Sequence, residues 1–223
     1  MKEIIYPQKS TVLRKNNDQK LKLFINEDQL KSVFLINNTR FITENLSLFD
    51  LEINPHDYYM IINNANDAIE IEYDLDVSNH QIVYNPFKHE NSEKINLKEE
   101  FFKERFKVPK GYIDTLPKWY SFKFTYPEYN LIFIKPELGI SIQIHESRSE
   151  SWEIIAGKPI ILSGNIVYYY VKKGTIIQHS ENTYHTIINP NKDPEAFVMV
   201  KERWSGNFME EDIQRVFNPN NYY

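Results

Sequence analysis

The stretch between Gly139 and Gly157 constrains the fold of this chain more than any other part of its sequence. Its first run, ISIQIH at residues 140–145, alternates isoleucine with polar side chains. A strict period of two predicts a β-strand with one apolar face and one polar face. A second apolar-rich run follows Glu150 and ends at Gly157, so the two runs are predicted to form a β-hairpin.

The polar face of this hairpin carries the candidate functional groups. Gln143 and His145 share that face, and Glu150 follows across a tight turn. Amide oxygen, imidazole and carboxylate groups are donors that divalent metals accept. The segment 174–189 offers a fourth donor in His185. The chain contains no cysteine, which excludes a thiolate metal site, a disulfide framework and a cysteine nucleophile. We therefore predict one divalent metal held by imidazole, carboxylate and amide groups.

The composition favours strands and argues against several kinds of partner. Aromatic residues make up 14% of the 223 residues, and Ile, Val and Tyr are frequent. The net charge of −5 comes from interspersed acidic and basic residues, so neither a nucleic-acid nor a membrane partner is expected. No apolar run approaches the ~18 residues of a membrane-spanning helix. A cytoplasmic protein is therefore expected.

The spacing of particular residues in the two stretches matches the two halves of the cupin signature. The first half is matched by Gly139, His145, Glu150 and Gly157, and the second half by Gly174, His185 and Asn189. The chain therefore resembles the cupin superfamily. This resemblance implies an all-β fold, the double-stranded β-helix known as the cupin jelly roll.

The resemblance extends to two kinds of phosphomannose isomerase. Residues 117–217 resemble the C-terminal cupin domain of the type II enzymes, and the run 140–145 resembles the Gln-x-His strand of the type I enzymes. In the type I enzymes a glutamine, a histidine, a glutamate and a distant histidine hold zinc. The resemblance thus implies zinc as the first choice of metal, with manganese, iron or nickel as alternatives. The implied ligands are Gln143, His145, Glu150 and His185.

The chain departs from the family pattern at three places. Ser147 replaces the second histidine of the first motif, and Ser151 replaces the histidine that follows the glutamate in type II enzymes. The segment 180–182, Ser-Glu-Asn, replaces the Pro-x-Gly of the second motif. Ser147 is a poor ligand, so the usual three-histidine site cannot form. A cupin that has lost its metal is therefore the alternative to the four-ligand site.

The implied activity is the metal-dependent interconversion of an aldose and a ketose on a sugar phosphate. Such a reaction needs a polarising metal, a base that moves a proton between C1 and C2, and cations for the phosphate. The candidate cations are Arg148, Lys158, Arg203 and Arg215. Arg215 matches the arginine expected at the active site of the type II enzymes.

No single residue stands out as the base. Glu153, Glu202 and His179 are candidates, although His179 alternates with Ile177 near the end of a strand and is expected to face solvent. The predicted catalytic set consists of Arg215, Arg203 and Glu153.

Two other functions stay open. An iron-dependent cupin dioxygenase would also use two histidines and one carboxylate with open coordination positions. A non-enzymatic sugar-binding or regulatory module would account for Ser147 and for the missing base. The expected partner of an isomerase or a binding module is a small-molecule sugar or sugar phosphate. No glycine precedes Gly111, so the Gly-rich phosphate loop of a nucleotidyltransferase is not expected in these residues.

The first half of the chain repeats the pattern of the second half without its ligands. Residues 55–64 and 69–73 have the outline of residues 180–189 and 197–200, at an offset that places Met60 at the position of His185. We predict two cupin copies, a bicupin, of which the first is degenerate. The predicted domains are a degenerate cupin-like β domain at 1–92, a helical linker at 93–116 and a metal-binding cupin domain at 117–223. A homodimer is expected by analogy, because cupin-like rolls pair through exposed sheet edges.

Overall fold

Strands form nearly all of the regular structure, as the composition predicts. The computed structural model describes residues 1–206 and 212–220. Within these residues the first half contains β1 (Lys2–Ile5), β2 (Leu13–Lys15), β3 (Leu21–Phe24), α1 (Glu27–Leu30), β4 (Val33–Asn37), β5 (Arg40–Ile42), β6 (Glu52–Ile53), β7 (Tyr58–Asn63), β8 (Ile69–Tyr73) and β9 (Gln81–Tyr84). The second half contains α2 (Glu99–Phe106), β10 (Asp114–Pro117), β11 (Ser121–Thr125), β12 (Asn130–Ile134), β13 (Leu138–Gly139), β14 (Ile142–His145), β15 (Arg148–Ala156), β16 (Ile160–Ser163), β17 (Ile166–Tyr168), β18 (Ile176–His179), β19 (His185–Asn189), β20 (Val198–Gly206) and β21 (Ile213–Phe217).

The strands form three antiparallel sheets. The largest has the order β21-β14-β19-β16-β17-β5-β4-β7-β2-β9, with β13 paired beside β19. A four-stranded sheet, β1-β8-β3-β6, packs on it in the first half, and a six-stranded sheet, β10-β11-β12-β20-β15-β18, packs on it in the second half. Each half is thus a curled β-sandwich with its own core. The predicted all-β, cupin-like architecture is confirmed.

The two halves join at the centre of the largest sheet. Arg40 of β5 pairs with Ile166 of β17. Phe41 N donates to Asn165 O at 2.8 Å, and Val167 N donates to Thr39 O at 2.8 Å. The same separation of 126 residues lies between Phe41 and Val167 and between Thr39 and Asn165. The two hydrogen bonds are therefore equivalent under an exchange of the halves.

The strand register corrects the predicted offset between the halves by one residue. Asn37 pairs with Tyr59 in the first half, and Ser163 pairs with His185 in the second. Tyr59, not Met60, therefore corresponds to His185. Successive side chains on a strand point to opposite faces, so Met60 faces away from the position of a ligand and into the core between the halves. The interpretation of the halves as two cupin copies stays a prediction.

A buried asparagine recurs at the same separation. Asn63 at the end of β7 donates its side-chain amide to the carbonyls of Ile5 and Asp67. Asn189 at the end of β19 donates in the same way to the carbonyls of Ile134 and Ala196. Both side chains satisfy buried backbone acceptors where a strand leaves its sheet.

Two further cores tie the chain together. Helix α2 lies within the predicted linker and buries Phe102 against an aromatic cluster of the second half, formed with Phe122, Phe124, Tyr126, Leu131, Phe133 and Phe197. A second core lies between the halves and includes Phe34, Ile36, Met60 and Ile62 from the first half with Ile142, Ile160, Leu162 and Ile188 from the second half.

No helix in the described part of the chain has both the length and the apolar character needed to cross a membrane. Residues 207–211 and 221–223, which belong to the predicted metal-binding domain, lie outside the described residues.

Candidate metal centre and adjoining pocket

Three strands of the second half bring the four predicted ligands together. Gln143 and His145 lie on β14, Glu150 lies on β15, and His185 begins β19. Gln143 pairs directly with His185 across the β14–β19 ladder. His145, Glu150 and His185 are buried, with at most 3% of each residue's surface exposed. We call these three residues the ligand cluster.

The ligand cluster is compact enough to surround one ion. One donor atom from each of its residues lies within 4.8 Å of the other two. His145 Nε2 lies 3.2 Å from Glu150 Oε1, and His185 Nε2 lies 3.7 Å from Glu150 Oε2. Gln143 presents its amide nitrogen, which lies 3.5 Å and 3.3 Å from the same two imidazole nitrogens. Its Oε1 accepts a hydrogen bond from Ser141, so ligation by Gln143 would require the amide to turn over.

The protonation of His185 suits a ligand. Its Nδ1 donates to the carbonyl of Thr183 at 2.8 Å, which leaves the lone pair of Nε2 facing the cluster. Burial lowers the pKa of His185 and favours the neutral ring that a metal requires. Two imidazole nitrogens and a carboxylate form a donor set for zinc or another divalent transition metal. The residues present therefore fit such a metal.

Glu150 is the charged centre of the cluster. Its Oε1 accepts from Arg148 Nε at 2.9 Å, and its Oε2 accepts from the indole N–H of Trp152 at 3.1 Å. Burial opposes ionisation of this carboxyl, but the adjacent histidines and Arg148 lower its pKa to about 2. Glu150 is therefore a carboxylate at neutral pH.

Arg148 is buried against the ligand cluster and does not lie on the surface. Only 4% of its surface is exposed. Its Nη2 lies 3.0 Å from His145 Nε2, and because arginine only donates, the imidazole nitrogen is the acceptor. The sequence marks Arg148 as one of several candidate cations, but nothing in it indicates contact with two of the predicted ligands.

His179 is buried beside the cluster, and the expectation that it faces solvent is wrong. It pairs with Glu150 across the β15–β18 ladder and is 1% exposed. Residues two apart on a strand share a face, so His179 is buried on the same side as Ile177. Its ring centroid lies 4.3 Å from Trp152 and 5.0 Å from His185. Burial lowers the pKa of His179 to about 3. The ring is therefore uncharged at neutral pH and packs against His185.

A polar pocket opens beside the ligand cluster. Gln143, Arg148 and Glu150 form part of its wall, next to Glu202 of β20. The remaining cations of the wall are Lys118, Lys123 and Arg215. The pocket wall thus combines positive side chains with two buried acidic residues, Glu150 and Glu202. Glu210 and Glu211, which precede Arg215 in the region that resembles the type II enzymes, lie outside the described residues.

Glu202 is the second carboxyl group of this pocket. Its Oε1 accepts from Asn130 at 2.6 Å, and its Oε2 accepts from Trp152 Nε1 at 3.2 Å. Burial raises the pKa of Glu202 to about 7, and the negative charge of Glu150 adds to the rise. A carboxyl group that titrates near neutrality can both hold and release a proton.

The other two predicted catalytic residues lie on the opposite face of the same sheet. Glu153 and Arg203 form an ion pair with 3.7 Å between Oε2 and Nη1, and both are partly exposed. Glu153 is an odd number of residues from Glu150 and Arg203 is one residue from Glu202, so the alternation of β15 and β20 turns them outward. The structure therefore brings Arg215 to the pocket, but not Glu153 or Arg203.

The family of the chain follows from a comparison with known sequences. The family described as mannose-6-phosphate isomerase C-terminal matches residues 98–218, more than half of the chain. The chain belongs to this family. The mannose-6-phosphate isomerase C-terminal region thus begins just before α2 and includes the ligand cluster, Glu202 and Arg215.

This mannose-6-phosphate isomerase C-terminal family member is also similar to individual proteins over part of its length. The mannose-1-phosphate guanylyltransferase of Escherichia coli (strain K12) is 31% identical over 88 residues, which cover 36% of this chain and 16% of that enzyme. The matched part thus spans about a sixth of the curated relative. Among solved structures, the nucleoside dehydratase Pac13 of Streptomyces is 14% identical with a TM-score of 0.38, covering 50% of this chain and 93% of Pac13. The capsular polysaccharide assembling protein CapF of Staphylococcus aureus is also 14% identical, with a TM-score of 0.37, covering 56% of this chain and 32% of CapF.

Proposed function

We propose that this protein is a metal-dependent isomerase that interconverts the aldose and ketose forms of a phosphorylated sugar. The observation that carries the proposal is a single pocket whose wall combines Glu150 of the ligand cluster, the second carboxyl group of Glu202 and several cations. Each of these groups answers one requirement of the reaction. A mannose-type hexose phosphate is the first substrate to test, because the family is described by that activity.

The cations supply the phosphate site. Lys118, Lys123 and Arg215 line the wall of the pocket and are partly or fully exposed, whereas Glu150 and Glu202 are buried. A phosphate group at the cations would leave the sugar chain directed toward the carboxylates. Arginine and lysine are the side chains that bind phosphate best, through paired hydrogen bonds and charge.

Glu202 is the proposed acid and base. Its pKa, raised to about 7 by burial, lets one oxygen accept the proton from one sugar carbon and return it to the neighbouring carbon. Hydrogen bonds from Asn130 and Trp152 fix the carboxyl group in the pocket wall. The same group can serve both half-reactions on carbon, and the proton on the C2 oxygen must also pass to the C1 oxygen to complete the isomerisation.

The proposed metal ligands are His145, Glu150 and His185, with Gln143 as the fourth. A divalent ion held there, zinc in the first instance, would polarise the carbonyl and hydroxyl oxygens of the substrate. His145 and His185 would bind through Nε2, since His185 Nδ1 donates to Thr183.

A cytoplasmic location and a homodimer stay predictions.

The experiment is a proton-exchange assay in deuterium oxide. The zinc-loaded protein is incubated with mannose 6-phosphate or fructose 6-phosphate, and loss of the C1 or C2 proton signal is followed by NMR. Glu202→Gln should abolish exchange, because the amide cannot take the proton. Glu128→Gln, on an exposed turn outside the pocket, is the matched control and should exchange at the normal rate.

Two results would contradict the proposal. Exchange that continues in Glu202→Gln would remove the assigned base. No exchange by the zinc-, manganese- or iron-loaded protein, with sugar phosphate binding intact, would favour the second candidate, a sugar-binding module without turnover. The specific observation behind that candidate is Arg148, whose guanidinium contacts Glu150 and His145, two of the proposed metal ligands. Oxygen consumption by the iron-loaded protein would instead indicate a dioxygenase.

A further inference from the structure

The guanidinium of Arg148 occupies the atoms that the metal would use. Its Nε donates to Glu150 Oε1 at 2.9 Å, and its Nη2 donates to His145 Nε2 at 3.0 Å. Two of the three residues in the ligand cluster, His145 and Glu150, are therefore bound to one cation of the chain itself. An arginine side chain does not lose its proton at physiological pH, so these contacts are permanent as long as the side chain stays in place.

A metal and this guanidinium cannot use the same donor atoms at once. A zinc ion binds imidazole nitrogen at about 2.0–2.1 Å through the lone pair that His145 Nε2 gives to Arg148. The ion would also place two positive charges next to a third in a buried site, where repulsion is strong. Ser147 stands at the position of the missing histidine. The ion would therefore have one ligand fewer to offset the repulsion from Arg148.

We infer that Arg148 is an internal cation that takes the place of the metal in the ligand cluster, and that a divalent ion binds only when the guanidinium leaves. This inference rests on the metal site of the proposed function. In the metal-free protein Arg148 neutralises Glu150, which would otherwise be a buried carboxylate without an adjacent full charge. The ion and the arginine are alternative partners of the same two residues.

The structure offers the guanidinium a second position. Arg148 already forms part of the wall of the polar pocket, together with Glu202, Lys123 and Arg215. A side chain that turns from the ligand cluster into this pocket keeps a polar surrounding. The exchange therefore moves a positive charge toward the proposed phosphate site when the metal enters.

The test is a calorimetric titration of the chelator-treated chain with Zn²⁺ and, separately, with Mn²⁺. Arg148→Met keeps the length of the side chain but removes the competing cation. It should bind zinc at least about tenfold more tightly than the unmodified chain, because zinc no longer has to displace a guanidinium from His145 and Glu150. Lys123→Met, which removes a cation from the same pocket without touching the ligand cluster, should change the affinity much less. His145→Ala should abolish binding in both backgrounds.

A second measurement needs no variant. The Arg148 Nε–H signal should be protected from exchange in the metal-free protein by its hydrogen bond to Glu150, and zinc should remove that protection. Equal zinc affinities of the unmodified chain and Arg148→Met, or an Nε–H signal unchanged at saturating zinc, would overturn the inference while leaving the metal site and the isomerase proposal intact. No zinc binding by either protein would reject both the inference and the metal-dependent function.

Discussion

Glu150 and Glu202 share one hydrogen-bond donor, the indole N–H of Trp152, at 3.1 Å and 3.2 Å. Two carboxyl groups held this close to one donor do not ionise equally. Arg148 and the histidines stabilise the charge of Glu150, so the cost of burial falls on Glu202. The pair thus separates into one carboxylate and one carboxyl group that titrates near neutrality.

This pair makes the stability of the protein depend on pH. The pKa of Glu202 rises from 4.5 to about 7 on folding, so the folded state holds the proton more tightly than the unfolded chain. The free energy of unfolding should therefore fall as pH rises from about 4.5 to about 7, through the range between those two values. Groups on neighbouring strands that face Glu202 are Glu150, which raises its pKa, and Asn130, Lys123 and Arg148, which lower it.

Urea unfolding between pH 5 and pH 8, compared with the Glu202→Gln variant, isolates this contribution. The free energy of unfolding of the variant should lack this decrease. The difference in stability between the two proteins should therefore shift in favour of the variant as pH rises. Parallel profiles for the two proteins would show that Glu202 ionises normally in the fold.

Replacing His145 with alanine should remove the metal without unfolding the chain. The unmodified protein is expected to bind about one ion per chain, and the variant close to none, since a site with one ligand fewer cannot hold it. The apolar side of β14 packs independently of this imidazole, so the far-ultraviolet circular dichroism should not change. Elemental analysis of both proteins measures the difference, and full metal content in the variant would contradict the assigned ligand.

Replacing Met60 with alanine should have the opposite effect. Met60 is 2% exposed in the core between the halves, so the change should cost ~2–5 kcal/mol of unfolding free energy. Met60 lies on the opposite face of the strand from Tyr59, the residue that corresponds to His185. The metal content should therefore stay the same. Loss of metal in this variant would mean that the core between the halves also shapes the ligand cluster.

Gly206 is predicted to be indispensable to the position of Arg148. Its φ is +98°, and a Cβ there would lie 2.4 Å from Ser147 O and 3.2 Å from the Cα of Arg148. Gly206→Ala should therefore cost more than the about 1–2 kcal/mol of a left-handed backbone alone and should displace residues 147–148. Gly174→Ala is the matched control, because Gly174 also has a positive φ, +83°, but open space around it. Similar losses of stability in the two variants would show that the strand adapts without strain.

The sequence predicted the parts of the molecule that local pattern encodes. The alternation at 140–145 predicted a β-strand, because side-chain period is a local property, and the resemblance of residues 139–189 to the cupin signature implied the all-β cupin-like fold. The same pattern located His145, Glu150 and His185, which the structure gathers into one cluster. The metal itself stays a prediction.

What the sequence missed depends on which strands pair and in which register. Glu153 and Glu202 are equivalent as candidates in the sequence, and only the ladder between β15 and β20 turns one outward and the other inward. The one-residue error at Met60 has the same origin, because a uniform apolar run such as YYMII gives no internal marker of register. The contacts of Arg148 depend on side-chain direction in a tight turn, which residue spacing does not encode.

The hydrogen bonds between β5 and β17 also determine how the chain can be divided. A fragment containing residues 98–218 would keep every group of the proposed active site. It would, however, expose the edge of β17 that pairs with β5, and it would expose Ile142, Ile160 and Leu162, which pack against the first half. Such an edge pairs readily with other chains. The first half therefore covers a strand edge and apolar side chains of the second half, and a truncation at the linker would expose both.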